Sequence, residues 1–110
     1  MTTFGQHDRP GEWNLPIVYC SLELYLPYCQ SLKEKRNVVR RLSGRIRSRF
    51  NFSVAEIGHQ ELRQRGLIGV VSIGSDRRKL EQIAEKLVRE SERSLGGDLI
   101  RTEIDVIDLD

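Results

Sequence analysis

From residue 17 the chain alternates between apolar and polar positions. In IVYCSLELYL, Val18, Cys20, Leu22, Leu24 and Leu26 share one parity, and Ile17, Tyr19, Ser21, Glu23 and Tyr25 share the other. Alternation with one apolar side marks a strand buried on one face. Pro27, which cannot donate to a ladder, closes it. The period then changes. Leu32, Val38, Val39, Leu42, Ile46 and Phe50 fall within about a 120° arc at 3.6 residues per turn, the stripe of an amphipathic helix. Ser31 followed by Glu34 is a capping box, so the helix is expected to begin there. Asn51 is its expected stop, and Gly44 costs it up to about 1 kcal/mol relative to alanine.

SVAEIGH then reads as a short strand, and GLIGVVSIG over residues 66–74, rich in β-branched residues, as a buried one. HQELRQR joins them as a hairpin connection. Ser75 or Asp76 can cap a second helix, in which Leu80, Ile83, Ala84, Leu87, Val88 and Leu95 recur at threes and fours. GGD at 96–98 is a stop and turn. In the last strand, from Leu99 to Leu109, Ile100, Thr102, Ile104 and Val106 oppose Arg101, Glu103 and Asp105. The order strand, helix, strand, strand, helix, strand predicts an α+β, ferredoxin-like βαββαβ domain: a four-stranded antiparallel sheet with two helices on one face. The other face is expected to carry Tyr19, Ser21, Glu23, Tyr25, Arg101 and Glu103.

With 110 residues, the chain is long enough for one modest core and too short for two. We expect a flexible leader over residues 1–15 and a single domain over 16–110. The leader lacks the continuous apolar core of a secretory signal, and no run approaches the roughly 18 apolar residues of a membrane span. On a single extended strand Cys20 and Cys29 would stand about 30 Å apart, too far to bridge. These features together suggest a cytoplasmic protein with reduced thiols.

Charge adds what periodicity cannot show. The chain holds 18 basic and 16 acidic residues, of which eight and one lie in SLKEKRNVVRRLSGRIRSRF, residues 31–50. That window therefore carries +7 and the remainder −5, a division that bears on partners rather than on fold. Counting from Leu32 at 100° per residue, Arg36, Arg47, Arg40 and Lys33 lie at roughly 40° to 100°, a stripe beside the apolar arc. Guanidinium groups repeated along one flank suit a run of phosphates, since each can fork two donors onto phosphate oxygens. Lys35, Arg41, Arg45 and Arg49 would broaden the field, and Arg65, beyond the hairpin connection, would join it. The same bases could instead pair with the acidic second helix or tail, or dock an acidic protein. His59 with Glu61 could in principle perform acid–base work, though a lone loop histidine is more often structural. No C-x-x-C, H-E-x-x-H or phosphate-cradling glycine loop is present, so we expect no catalytic residues, no metal and no cofactor.

In order along the chain, SLKEKR, RIRSRFN, SVAEIGHQEL and GLIGVVSIGSD resemble the YlxP-like family of small bacterial domains of unassigned function, over roughly residues 17 to 107. The family pattern D-H-Q-D-L-W stands here as Gly58, His59, Gln60, Glu61, Leu62 and Arg63, without the acid before the histidine or the aromatic after the leucine. The resemblance implies a ferredoxin-like fold and genes neighbouring those for translation initiation and ribosome maturation. On that basis the expected partner of the basic helix is RNA or a ribosomal particle, bound without catalysis. The alternative is a protein-interaction or homo-oligomeric regulatory module that works through the open sheet face or an edge strand, without nucleic acid.

Overall fold

The computed structural model describes residues 15–108. All but the last residue of the expected leader lies outside that range. The elements are β1 (Pro16–Tyr25), α1 (Leu32–Arg49), β2 (Ser53–Gly58), β3 (Arg65–Ile73), α2 (Arg77–Leu95), a 3-10 turn (Gly96–Asp98) and β4 (Leu99–Asp108). The strands form one antiparallel sheet in the order β2-β3-β1-β4. This is the α+β ferredoxin-like fold, and the observed elements match the expected ones to within a residue or two.

The parity seen in β1 decides which face is covered. Val18, Cys20, Leu22, Leu24 and Leu26 are fully buried, and the register sets Val70 opposite Cys20 and Ile68 opposite Leu22. Leu42 and Ile46 of α1 and Leu80, Ala84, Leu87 and Val88 of α2 pack onto them in one cluster. Both helices thus cover one sheet face, α1 over β2 and β3, α2 over β1 and β4. Among the described residues no element covers the other face.

Local signals at the helix ends act as their chemistry requires. The Ser31 hydroxyl accepts from the Glu34 N–H at 3.1 Å. The Glu34 carboxylate reaches one residue further back than a standard capping box, accepting from the Gln30 N–H at 2.7 Å. Asp76, rather than Ser75, caps α2 through the Lys79 N–H. α1 ends at Arg49 with Phe50 as its cap, one residue before the expected Asn51. Gly96 leaves α2 with φ +57°, backbone space that glycine occupies without penalty.

β4 departs from the expected one-sided burial. Ile100 and Ile104 are 46% and 39% exposed. Ile104 keeps the parity read for it, opposite Cys20, whereas Ile100 does not, and β4 is an edge strand. Leu99 and Arg101 oppose Leu24 and Glu23, leaving Ile100 as the extra residue of a bulge.

Candidate functional site: the basic helix

Among the eight bases of residues 31–50, three distinct situations arise. Lys35 is fully buried. Its ammonium donates to the carbonyls of His59 at 2.8 Å and Gln60 at 3.3 Å, and lies 3.0 Å from Glu56 Oε2. Two of its three N–H donors thus meet backbone carbonyls. The Glu56 oxygen has no directed hydrogen bond, so charge is what holds it to Nζ. Lys35 clamps the β2–β3 connection from beneath and offers nothing to an external ligand. A helical signal for this existed: Lys35 stands three, four, seven and eleven residues before Val38, Val39, Leu42 and Ile46, on the apolar stripe itself.

Arg47 and Arg49 are exposed but engaged. Arg47 donates from Nη2 to the Val54 carbonyl at 2.9 Å, covering part of the β2 edge. Arg49 pairs with Glu90 of α2 at 3.0 Å. Lys33, Arg36, Arg40, Arg41 and Arg45 are exposed and, among the described residues, have no carboxylate partner. By helical spacing Arg36, Arg40 and Lys33 lie on the β2 side of α1, roughly 130° from Arg41 and Arg45. Arg41 and Arg45 line a shallow groove against α2 with Ser94, Leu95 and Asp98. Asn37, Gly44 and Ser48, all exposed, fall between the two rows.

Arg65 does not join them. It lies opposite Tyr25 in the sheet, on the open face, with its guanidinium carbon 5.5 Å from the Tyr25 ring centroid and Nη1 3.5 Å from Glu23 Oε2. His59 Nε2 is 3.7 Å from the same oxygen. His59 has φ +59°, a left-handed conformation uncommon outside glycine, and its carbonyl accepts both Lys35 Nζ and the Leu62 N–H. The histidine is thus set by a tightly bonded turn, with Glu23 as its neighbour. Glu61, the expected partner in acid–base chemistry, is exposed.

Neither thiol takes part in a surface site. Cys20 and Cys29 are both free and buried. Burial pushes the Cys20 thiol up to about 11, because a thiolate there would lose its hydration. Cys29 is raised by burial first, then by Glu34 and Asp98, with Lys35 opposing. A thiol that ionises later when folded contributes stability in full below its ordinary value of 9.0, and that contribution is lost as pH climbs to about 11. Cys20→Ala is therefore expected to lose less stability than the parent between pH 9 and 11, by at most about 2–3 kcal/mol. Urea melts at stepped pH would check this, and parallel losses in both proteins would remove Cys20 as a cause.

Among the described residues, no group of three His, Cys, Asp or Glu side chains converges to hold a metal ion, and no helix is long and apolar enough to cross a membrane.

Fold and surface together define a small ferredoxin-like domain with a cationic helix turned outward. The chain belongs to the family described as a protein of unknown function, DUF503, whose model matches residues 17–104. It is 38% identical over 72 residues to the uncharacterized protein YlxP of Bacillus subtilis (strain 168), covering 66% of this chain and 78% of that one.

Proposed function

We propose that this domain binds RNA or a ribonucleoprotein through the outward side of α1, without catalysis, as a cytoplasmic factor of ribosome maturation or translation. The observation that carries this reading is the set of five exposed cations, Lys33, Arg36, Arg40, Arg41 and Arg45, that no carboxylate of the described residues neutralises. Such a surface gains free energy from a polyanion by releasing its counterions. The ribosomal context follows from the resemblance to YlxP-like domains and their gene neighbourhood.

The test is a titration of a structured ribosomal RNA fragment at several salt concentrations. If the five cations each meet a phosphate, the logarithm of the binding constant falls against that of salt with a slope of roughly −3.5 to −4.5. Failure to bind at low salt overturns the reading.

A second reading, a protein-interaction module, is favoured by the open sheet face, where Val71, Ile73 and Ile107 are 39%, 62% and 44% exposed. Salt-insensitive association with no RNA retention would select it.

A further inference from the structure

The two edges of the sheet are β2 and β4, and they are finished differently. β2 is six residues long, and Arg47 occupies one of its carbonyls. β4 runs for ten residues, has no neighbour beyond it among the described residues and contains neither lysine nor proline. It leaves Ile100, Ile104 and Ile107 exposed. A ten-residue edge of this kind presents unpaired N–H and C=O groups to an incoming strand.

The sequence of β4 specifies which strand would fit. Two copies paired antiparallel about a two-fold axis perpendicular to the sheet keep every side chain on its own face, so only registers centred on a residue are allowed. Centred on Thr102, Arg101 lies opposite the partner's Glu103, and Glu103 opposite the partner's Arg101. Thr102 faces its own copy at the axis, and each Ile104 comes level with the partner's Ile100 at its bulge. Opposite charges, aliphatic pairs and Thr–Thr contacts are the cross-strand combinations that stabilise a sheet.

The neighbouring registers carry repulsion. Centring on Arg101 sets two arginines face to face, centring on Glu103 sets two glutamates together, and centring on Ile104 places Glu103 against the partner's Asp105. Arg101 and Glu103 already lie 2.6 Å apart within one strand and are well exposed, so pairing would give a ring of four alternating charges at the axis.

We propose that the domain self-associates through β4 in this register, continuing two four-stranded sheets as one of eight strands. α2 sits over β1 and β4, so the two α2 helices come side by side across the junction, and Ile104 is enclosed beneath them. α1 lies over β2 and β3, at the far end of each copy, so the pairing stands whether or not the basic helix binds RNA. The junction spans only about five residues of each strand, short against the roughly 800 Å² per partner of a standard interface, so association rises with concentration.

The test uses the full chain without nucleic acid. Sedimentation velocity over a concentration series is expected to show monomer passing to dimer. Directly opposed residues lie about 4.5–5.5 Å apart between Cα atoms, within disulfide range. Under mild oxidation Thr102→Cys is expected to crosslink to its copy, whereas Val106→Cys, far from the axis, is not. The buried native thiols do not compete. Arg101→Glu is expected to weaken association about ten-fold, since two attractive pairs become repulsive, and Arg101→Glu with Glu103→Arg to restore it. A monomer at every concentration overturns the proposal. So does crosslinking at Val106→Cys equal to that at Thr102→Cys, or a dimer that crosslinks through Ile73→Cys on the open face and not through Thr102→Cys.

Discussion

Lys35→Met is expected to destabilise the domain by about 3–5 kcal/mol, the usual cost of breaking a buried ion pair by removing one partner. The methionine retains much of the apolar stem, so little of the loss comes from packing. What disappears is the ammonium that meets the Glu56 carboxylate and the carbonyls of His59 and Gln60. Each acceptor is left short of a donor, and a charge in partly buried surroundings is left alone. At about 4–8 °C per kcal/mol for a domain of this size, the melting temperature should fall by roughly 12 °C or more. Lys35→Met with Glu56→Leu should recover part of the loss, because the stranded charge is then gone, but not the share owed to the two carbonyls. Hydrogen exchange at the Leu62 N–H, which donates to the His59 carbonyl, should accelerate in both variants. A Lys35→Met protein within about 1 kcal/mol of the parent would mean that the clamp contributes little.

The second large effect concerns binding. Arg36→Glu, Arg40→Glu and Arg41→Glu together are expected to reduce RNA affinity at least about 100-fold at matched salt. They should also make the salt slope shallower by roughly 2, as three phosphate contacts are withdrawn. Stability should change little, since all three side chains are exposed and none has a carboxylate partner among the described residues. Arg47 is a poor probe for the same purpose. Arg47→Glu would remove the donor on the Val54 carbonyl and place a carboxylate beside it, so any lost binding would be confounded with a disturbed β2 edge. If the triple variant retains RNA as tightly as the parent, α1 is not the binding surface.

Much of the architecture was legible without coordinates because one-sided burial imposes a period. The alternation in β1 and the threes and fours of both helices each describe an element with one dry side, and both capping sites follow from side-chain chemistry within a single turn. β4 marks where this reading stops. Its parity held from Arg101 onward, yet parity can neither foresee the bulge at Ile100 nor tell a central strand from an edge. Ile104 stays exposed because no described strand lies beyond it. The basic window was legible as a concentration of charge. Its division was not. Arg49 is held by Glu90, 41 positions away, and Arg65 was carried to the opposite face by its register with Tyr25. Lys35 is the intermediate case, since its place on the apolar stripe could be counted, but the three oxygens awaiting it come from β2 and the connection after it.

By itself, then, the chain determined its elements, their order, the covered face and the surplus of positive charge on the first helix, because each depends on residues within a few positions of one another. Only the tertiary structure decided which cations remain available and which strands stand at the sheet's edges. Those outcomes depend on atoms brought together from distant parts of the chain, where a few ångströms separate a guanidinium already neutralised from one still free.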